Sequence, residues 1–351
     1  MVMENVKYLV LVAAVILTVL YFCDQGCKEN TTEVPSSEVG TWTKVERGVT
    51  SRLYDIDFAD EQHGWVVGDS GMVLYSGNGG ESWQRQTCPI QDVLLAVDFV
   101  DNENGWICSR NSILKTIDRG RSWKVKHSED LGEGHFYDIQ FLNKNTGFVV
   151  GGRGPFGSIG VLKKTRDGGE TWQKAAVNEL RTLSHISVVD EQNIWICGFD
   201  GTILCTTDIG LTWTKKNLNA APPPSLTTIQ FVDEYNGWVG SRDDWLGFFR
   251  TTDGGNTWIQ RSKESLSIFG ISTFFFVDSL HGWLGTFPGA GPFAIAQTAD
   301  GGQTWRFLPE NMNVRDIAAF SFINKDLGWA VGLELSDSIV EGVILCYRSI
   351  K

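Results

Sequence analysis

The sequence predicts an all-β fold, a seven-bladed β-propeller with four antiparallel strands per blade. Three observations predict it: a recurring eight-residue box, a second landmark ahead of each copy, and a repeat series left incomplete at both ends of the folded region. The box appears as TIDRGRSW, TRDGGETW, TTDIGLTW, TTDGGNTW and TADGGQTW, ending at Trp123, Trp172, Trp213, Trp258 and Trp305. A weaker copy, SGNGGESW, ends at Trp83 with Asn78 in place of the aspartate. Copies lie about 40–50 residues apart, an interval that marks stacked repeats of one supersecondary unit.

The second landmark reads LYDIDFADEQHGWVVG, LLAVDFVDNENGWICS, FYDIQFLNKNTGFVVG and so on, placing an aromatic at Trp65, Trp106, Phe148, Trp195, Trp238, Trp283 and Trp329. Each copy parses into four strands. The first is apolar and partly alternating, as in Leu53 to Phe58. A polar turn follows, and the second strand carries the aromatic. The third is a short apolar run such as Val161-Leu162, and the fourth is expected to begin at the Thr-Trp of the box. Runs of β-branched and aromatic residues between Gly, Asp and Asn turns are strand signals. After residue 40 no segment sustains a helical period. Four strands per repeat of this length define a propeller blade.

Seven landmarks stand against six boxes. The last copy stops at Lys351, where its fourth strand should begin, and Thr41-Trp42 near the start matches the end of a box. Residues 41–46 are therefore expected to supply the outer strand of the last blade. That pairing closes the ring and removes open sheet edges.

The box itself reads as a structural turn. Asp118, Asp167, Asp208, Asp253 and Asp300, with Asn78 in the weaker copy, can accept backbone N–H groups of the turn they occupy. The glycines supply positive φ. The tryptophan is a large body suited to packing between sheets. A calcium loop is a poor alternative, because one carboxylate per box falls short of six to eight oxygens. A phosphate loop is poorer still, because the box joins two strands and opens no helix.

This pattern resembles the Asp-box (BNR) repeat over residues 40–351. More narrowly, the aromatic landmark placed ahead of the box resembles the photosystem II stability/assembly factor family. The resemblance implies a seven-bladed propeller that is an assembly factor and not an enzyme. It implies no cofactor, and a protein partner that is a subunit of a membrane complex. It also implies that an arginine-rich patch binds that partner.

The loops between second and third strands, with the connections between blades, share the face opposite the boxes. They vary in length and content, and variable loops on a regular scaffold carry binding. Arg110, Arg153 and Arg242 stand on them, beside Trp245 as an aromatic anchor. The plainer reading is that these arginines are solvated or paired with neighbours such as Asp243 and Asp244.

A net charge of −12 argues against nucleic acid as a partner. Tyr8 to Cys23 is uncharged and follows Lys7. At 1.5 Å per residue it spans about 24 Å, short of a ~30 Å hydrocarbon core. Residues 1–23 are expected to be a signal peptide or membrane anchor, with Cys23 a candidate for lipidation, and residues 24–39 a linker. The propeller at 40–351 would then be exported and tethered, and a monomer is expected. Of seven cysteines, Cys108, Cys197, Cys205 and Cys346 fall at interior strand positions, as small apolar residues do. A Cys197–Cys205 disulfide across a hairpin is the alternative. No His/Cys cluster suggests a metal.

The competing reading is a carbohydrate-binding protein or glycosidase, since sialidases also carry Asp boxes. Sialidases have six blades and a Tyr/Phe-Arg-Ile-Pro signature that this chain lacks. Tyr54 and Tyr137 begin first strands, where a tyrosine can face the central channel. Acids converging with a tyrosine in that channel would speak for catalysis.

Overall fold

In the computed structural model the described residues are 40–132, 134–153, 158–175, 177, 181–241, 247–261, 271–286, 295–308, 314–336 and 339–349. Arg242, Trp245, Cys23 and the segments at 1–23 and 24–39 lie outside them. Among the described residues, twenty-eight strands form seven four-stranded antiparallel sheets. Blade one runs Leu53–Phe58, Gly64–Gly68, Met72–Ser76 and Gln84–Arg85. Five further blades repeat this order along the chain.

The seventh sheet closes the ring. Its outer strand is Thr41–Val49, paired antiparallel with the C-terminal strand Ile339–Arg348, so that Trp42 faces Tyr347 and Thr43 faces Cys346. Gly40 donates its backbone N–H to the Tyr347 hydroxyl at 3.1 Å. A Cβ at Gly40 would meet the Tyr347 ring at 2.4 Å, so glycine is needed for this close approach. Lys44 also pairs with Glu334 of the same sheet.

The landmark aromatics hold neighbouring blades together. Trp65 of blade one lies flat on Phe99 of blade two, with ring centroids 3.5 Å apart. Trp123, from the box of blade two, meets the same Phe99 edge-on at 5.9 Å. The sandwich recurs as Trp106, Phe141 and Trp172, and as Trp195, Phe231 and Trp258. At the closing seam Trp283 stacks on Phe322, and Trp42 meets Phe322 edge-on at 5.9 Å and 88°. Trp42 thus takes the place of a box tryptophan in a blade that has no box of its own. Such aromatic pairs add about 0.5–1.5 kcal/mol beyond the area they bury.

The Trp indole N–H is also used across the seam. Trp106 donates to the Gly168 carbonyl in the next box at 3.0 Å, Trp238 to Gly301 at 3.0 Å and Trp329 to Gly79 at 3.1 Å. Third-strand cations reinforce this: Lys164 donates to the Ile209 carbonyl, and Arg250 to the carbonyls of Asp300 and Ser279.

Within each box the hydrogen bonds form one closed set. Thr165 donates its hydroxyl to Asp167 at 2.8 Å and accepts the Gly169 N–H at 2.8 Å. Asp167 then accepts both the N–H and the hydroxyl of Thr171, at 2.9 and 2.6 Å. The fourth and fifth box positions have positive φ, as at Gly168 (72°) and Gly169 (90°). Arg119 and Ile209 adopt the same conformation without being glycine, at 69° and 54°.

Two expectations need correction. The box tryptophan does not begin the fourth strand, which starts one residue later, at Gln84, Lys124 or Gln173. Its ring is instead committed to the edge-on contact at the blade seam. Cys197 and Cys205 form no disulfide; both are buried free thiols. The hairpin register sets Cys197 opposite Ile203 and Cys205 opposite Trp195, so the two sulfurs never face each other.

Candidate functional site

The first strands surround a central channel of about 350 Å³. An innermost strand is a sheet edge, and its unpaired N–H groups need acceptors. In this ring each blade supplies them to the next. Asp55 and Asp57 of blade one accept the Val97 and Phe99 N–H groups of blade two, at 2.8 and 2.7 Å. Asp98 accepts from Phe141 at 2.9 Å, and Asp138 from Ile186 at 2.7 Å. Gln140, Ser187 and Gln230 continue the series to Val188, Phe231 and Phe276. Ser321 returns it to Phe58 of blade one at 3.0 Å.

Exceptions follow the same logic. Blade two has Ala96 where blade one has Asp55, and Asp138 of blade three then caps its own neighbour, Ile139, at 2.8 Å. Blade seven has Ala319 there, and Asp55 caps Ile56 at 2.9 Å. Between blades six and seven Phe275 replaces the acceptor and packs on Phe322, with centroids 5.5 Å apart.

Acids and tyrosines therefore do converge in the channel: Asp55, Asp57, Asp98 and Asp138 line it together with Tyr54 and Tyr137. The carboxylates are engaged across the seams rather than free. Loss of hydration raises the Asp57 carboxyl to about 7, against the pull of the Phe99 and Phe58 N–H groups. Burial likewise pushes Asp55 and Asp98 well above the usual carboxylate range, with repulsion from neighbouring acids adding to it. Burial also raises the Tyr54 and Tyr137 phenols, so both are neutral donors at the loop end of the channel.

The loop face holds more cations than the loop sequences suggest. Arg110 is exposed at the end of its hairpin, where its carbonyl accepts the Phe136 N–H at 3.0 Å. It lies within electrostatic reach of the Tyr54 hydroxyl. Arg153 is exposed at the end of its strand, opposite Ile159. Arg52, Arg181 and Arg315 join them on this face, the first two just ahead of a first strand and Arg315 the second residue of one. Arg52 pairs with Asp316 at 3.3 Å and covers the Tyr54 ring at 5.2 Å. Arg181 pairs with Asp200 at 3.1 Å. None of the three stands on a hairpin loop; the sequence signal for them is their place at the start of the strands Leu53–Phe58, Leu183–Asp190 and Val314–Asn324. Among the described residues no group of three His, Cys, Asp or Glu side chains is arranged to hold a metal ion. No helix among them is long and apolar enough to cross a membrane.

The family model for photosynthesis system II assembly factor YCF48 matches the chain over residues 34–132, 94–156 and 130–258. The chain belongs to this family. Among curated relatives, the photosystem II assembly lipoprotein Ycf48 of Synechococcus sp. (strain CC9902) is 25% identical over 227 residues, 62% of this chain and 64% of its own length. That of Prochlorococcus marinus (strain MIT 9312) is 22% identical over 294 residues, 58% of this chain and 86% of its own. The match to the Synechococcus relative thus spans less than two thirds of that protein. A solved structure, YCF48 bound to D1 peptide, has a TM-score of 0.71 at 20% identity, covering 91% of this chain and 100% of the other. YCF48 from Cyanidioschyzon merolae follows at 0.67 and 21%, covering 88% and 98%. At these identities the structural likeness establishes the seven-bladed fold shared with the YCF48 family.

Proposed function

We propose that the chain is a non-enzymatic scaffold that assists assembly or stability of a membrane protein complex. In this reading it is exported, tethered at the membrane by residues 1–23, and binds an exposed segment of a complex subunit. Membership of the YCF48 family is the observation that carries this reading. The existence of a relative of the same fold bound to a D1 peptide supports a peptide segment as the form of the partner. Relatives named lipoproteins support tethering, with Cys23 the candidate for the lipid.

The loop face is the proposed contact surface, with Arg110, Arg153 and Arg242 giving charge-assisted hydrogen bonds to carboxylates or carbonyls. Trp245 is the proposed aromatic anchor. The box aspartates are occupied in their turns and are not part of this surface. The channel acids hold blade to blade, which favours a structural role over glycoside chemistry, where a carboxyl pair must be free to meet the sugar.

The test is capture from detergent-solubilised membranes with the wild-type chain and the triple variant Arg110→Glu, Arg153→Glu, Arg242→Glu. Loss of partner recovery supports the loop face, and undiminished recovery removes it. Turnover of any glycoside in a fluorogenic screen would overturn the non-enzymatic reading.

A further inference from the structure

We propose that the central channel binds a primary ammonium group, a lysine side chain or the N-terminus of an extended polypeptide, among Asp55, Asp57, Asp98 and Asp138.

Four carboxylates share a space of about 350 Å³. Among the described residues His185 is the only basic side chain lining it, and that imidazole is already engaged: Nδ1 lies 3.1 Å from the Ile229 carbonyl and 3.9 Å from Asp138. The remaining titratable groups facing the channel are the Tyr54 and Tyr137 phenols. Among the described residues the site therefore has an excess of acceptors and negative charge with no fixed counter-cation.

The seam hydrogen bonds do not exhaust those acceptors. A carboxylate offers about four lone-pair sites. Asp98 gives one oxygen to Phe141, and Asp138 gives one oxygen each to Ile139 and Ile186. Lone pairs are left over for a ligand in the channel.

A second observation points the same way from across the ring. Thr228 of blade five is 2% exposed and lines the channel, and its hydroxyl has no hydrogen-bond partner. Its Cγ2 packs at Gly240, where an added Cβ would meet it at 2.9 Å. The methyl is thus spent on the sheet, which leaves the hydroxyl as an unused buried polar group.

The arrangement suits an ammonium better than a metal ion. Asp55 and Asp57 lie on blade one, Asp98 on blade two and Asp138 on blade three, and among the described residues no three acidic side chains are gathered closely enough to hold a metal ion. An ammonium carries three diverging N–H donors and can bridge spread acceptors. Calcium needs six to eight oxygens gathered at ~2.3–2.6 Å.

The test is calorimetric titration of the full chain at pH 8 with two charged probes: Nα-acetyl-lysine methylamide, and alanyl-alanine methylamide with its free α-ammonium. The Nε-acetylated lysine probe and the N-acetylated dipeptide are their neutral controls. The charged form of at least one probe should bind at least tenfold tighter than its control, and which one binds identifies the source of the ammonium. Asp98→Asn retains an acceptor for Phe141 but loses the charge, and should weaken binding about tenfold, the scale of a charged hydrogen bond. Thr228→Val should weaken it several-fold without disturbing the Gly240 contact. Binding should also fall from pH 8 to pH 5.5 as Asp57, held at about 7, takes up its proton. Equal affinity for charged and neutral probes would overturn the proposal. So would binding unchanged in both Asp98→Asn and Thr228→Val.

Discussion

The aspartates of the outer boxes and those of the central channel are the same residue in opposite surroundings. Asp167 is exposed, and its carboxylate is held to about 2 by the Thr171 hydroxyl and N–H. Asp253 is held to about 2 by Thr257 in the same way. Asp57 is enclosed, and lost hydration lifts it to about 7 although it too accepts backbone N–H groups. Local hydrogen bonding is thus similar, and exposure to water decides the direction.

The two sets therefore respond to pH with opposite sign. A box aspartate, depressed in the folded state, contributes stability above about pH 4 that is lost as pH falls toward 2. A channel aspartate, raised in the folded state, contributes stability below about pH 4 that is lost as pH rises toward 7. Fold stability should peak between about pH 4 and 6 and decline on both sides. A urea-midpoint series across that range checks this, and a maximum above pH 7 would break the comparison.

The largest single effect should come from neither set. Trp106 stacks on Phe141 and donates to Gly168, so it serves both the seam and the next box. Trp106→Ala should lower stability by about 3–5 kcal/mol in urea unfolding. A loss below 1 kcal/mol would show that the aromatic sandwiches do not hold the ring.

Next comes the channel. Asp57→Asn keeps an acceptor for Phe99 and removes the buried charge. It should raise stability at pH 8 by about 2–4 kcal/mol, given about 1.4 kcal/mol per unit of displaced pKa. At pH 4, where Asp57 is protonated, the variant should match the parent. Asp167→Ala should do less and in the other direction, lowering stability by about 1 kcal/mol at pH 7, as loss of a capping side chain does. The smallest effect is expected at Ile209, whose β-branched side chain sits at a φ of 54°. Ile209→Gly should raise the stability by about 0.5–1 kcal/mol, since strain relief exceeds the entropy lost by glycine.

The outer repeat was legible in the sequence because each box carries its whole hydrogen-bond set within eight residues. Ring closure was legible too, since Thr41-Trp42 is a fragment of the same box. The channel was not legible to the same degree. Asp57 and Asp98 look like solvated residues of alternating strands, and only the curvature of the ring brings each against the next blade's edge. The arginines at 52, 181 and 315 were hidden for a related reason, because shared placement on one face depends on where strands begin. The exposure of Arg110 and Arg153 could be anticipated from their loops, whereas the reach of Arg110 to Tyr54 joins residues of different blades.

The central claim is that the box aspartates maintain the disc while partner capture belongs to the loop face. Parallel capture from solubilised membranes tests it directly, comparing the wild type, the triple arginine variant and Asp167→Ala. The account predicts that partner recovery collapses for the arginine variant and stays at the wild-type level for Asp167→Ala. Full recovery with the arginine variant, or loss confined to Asp167→Ala, would contradict it.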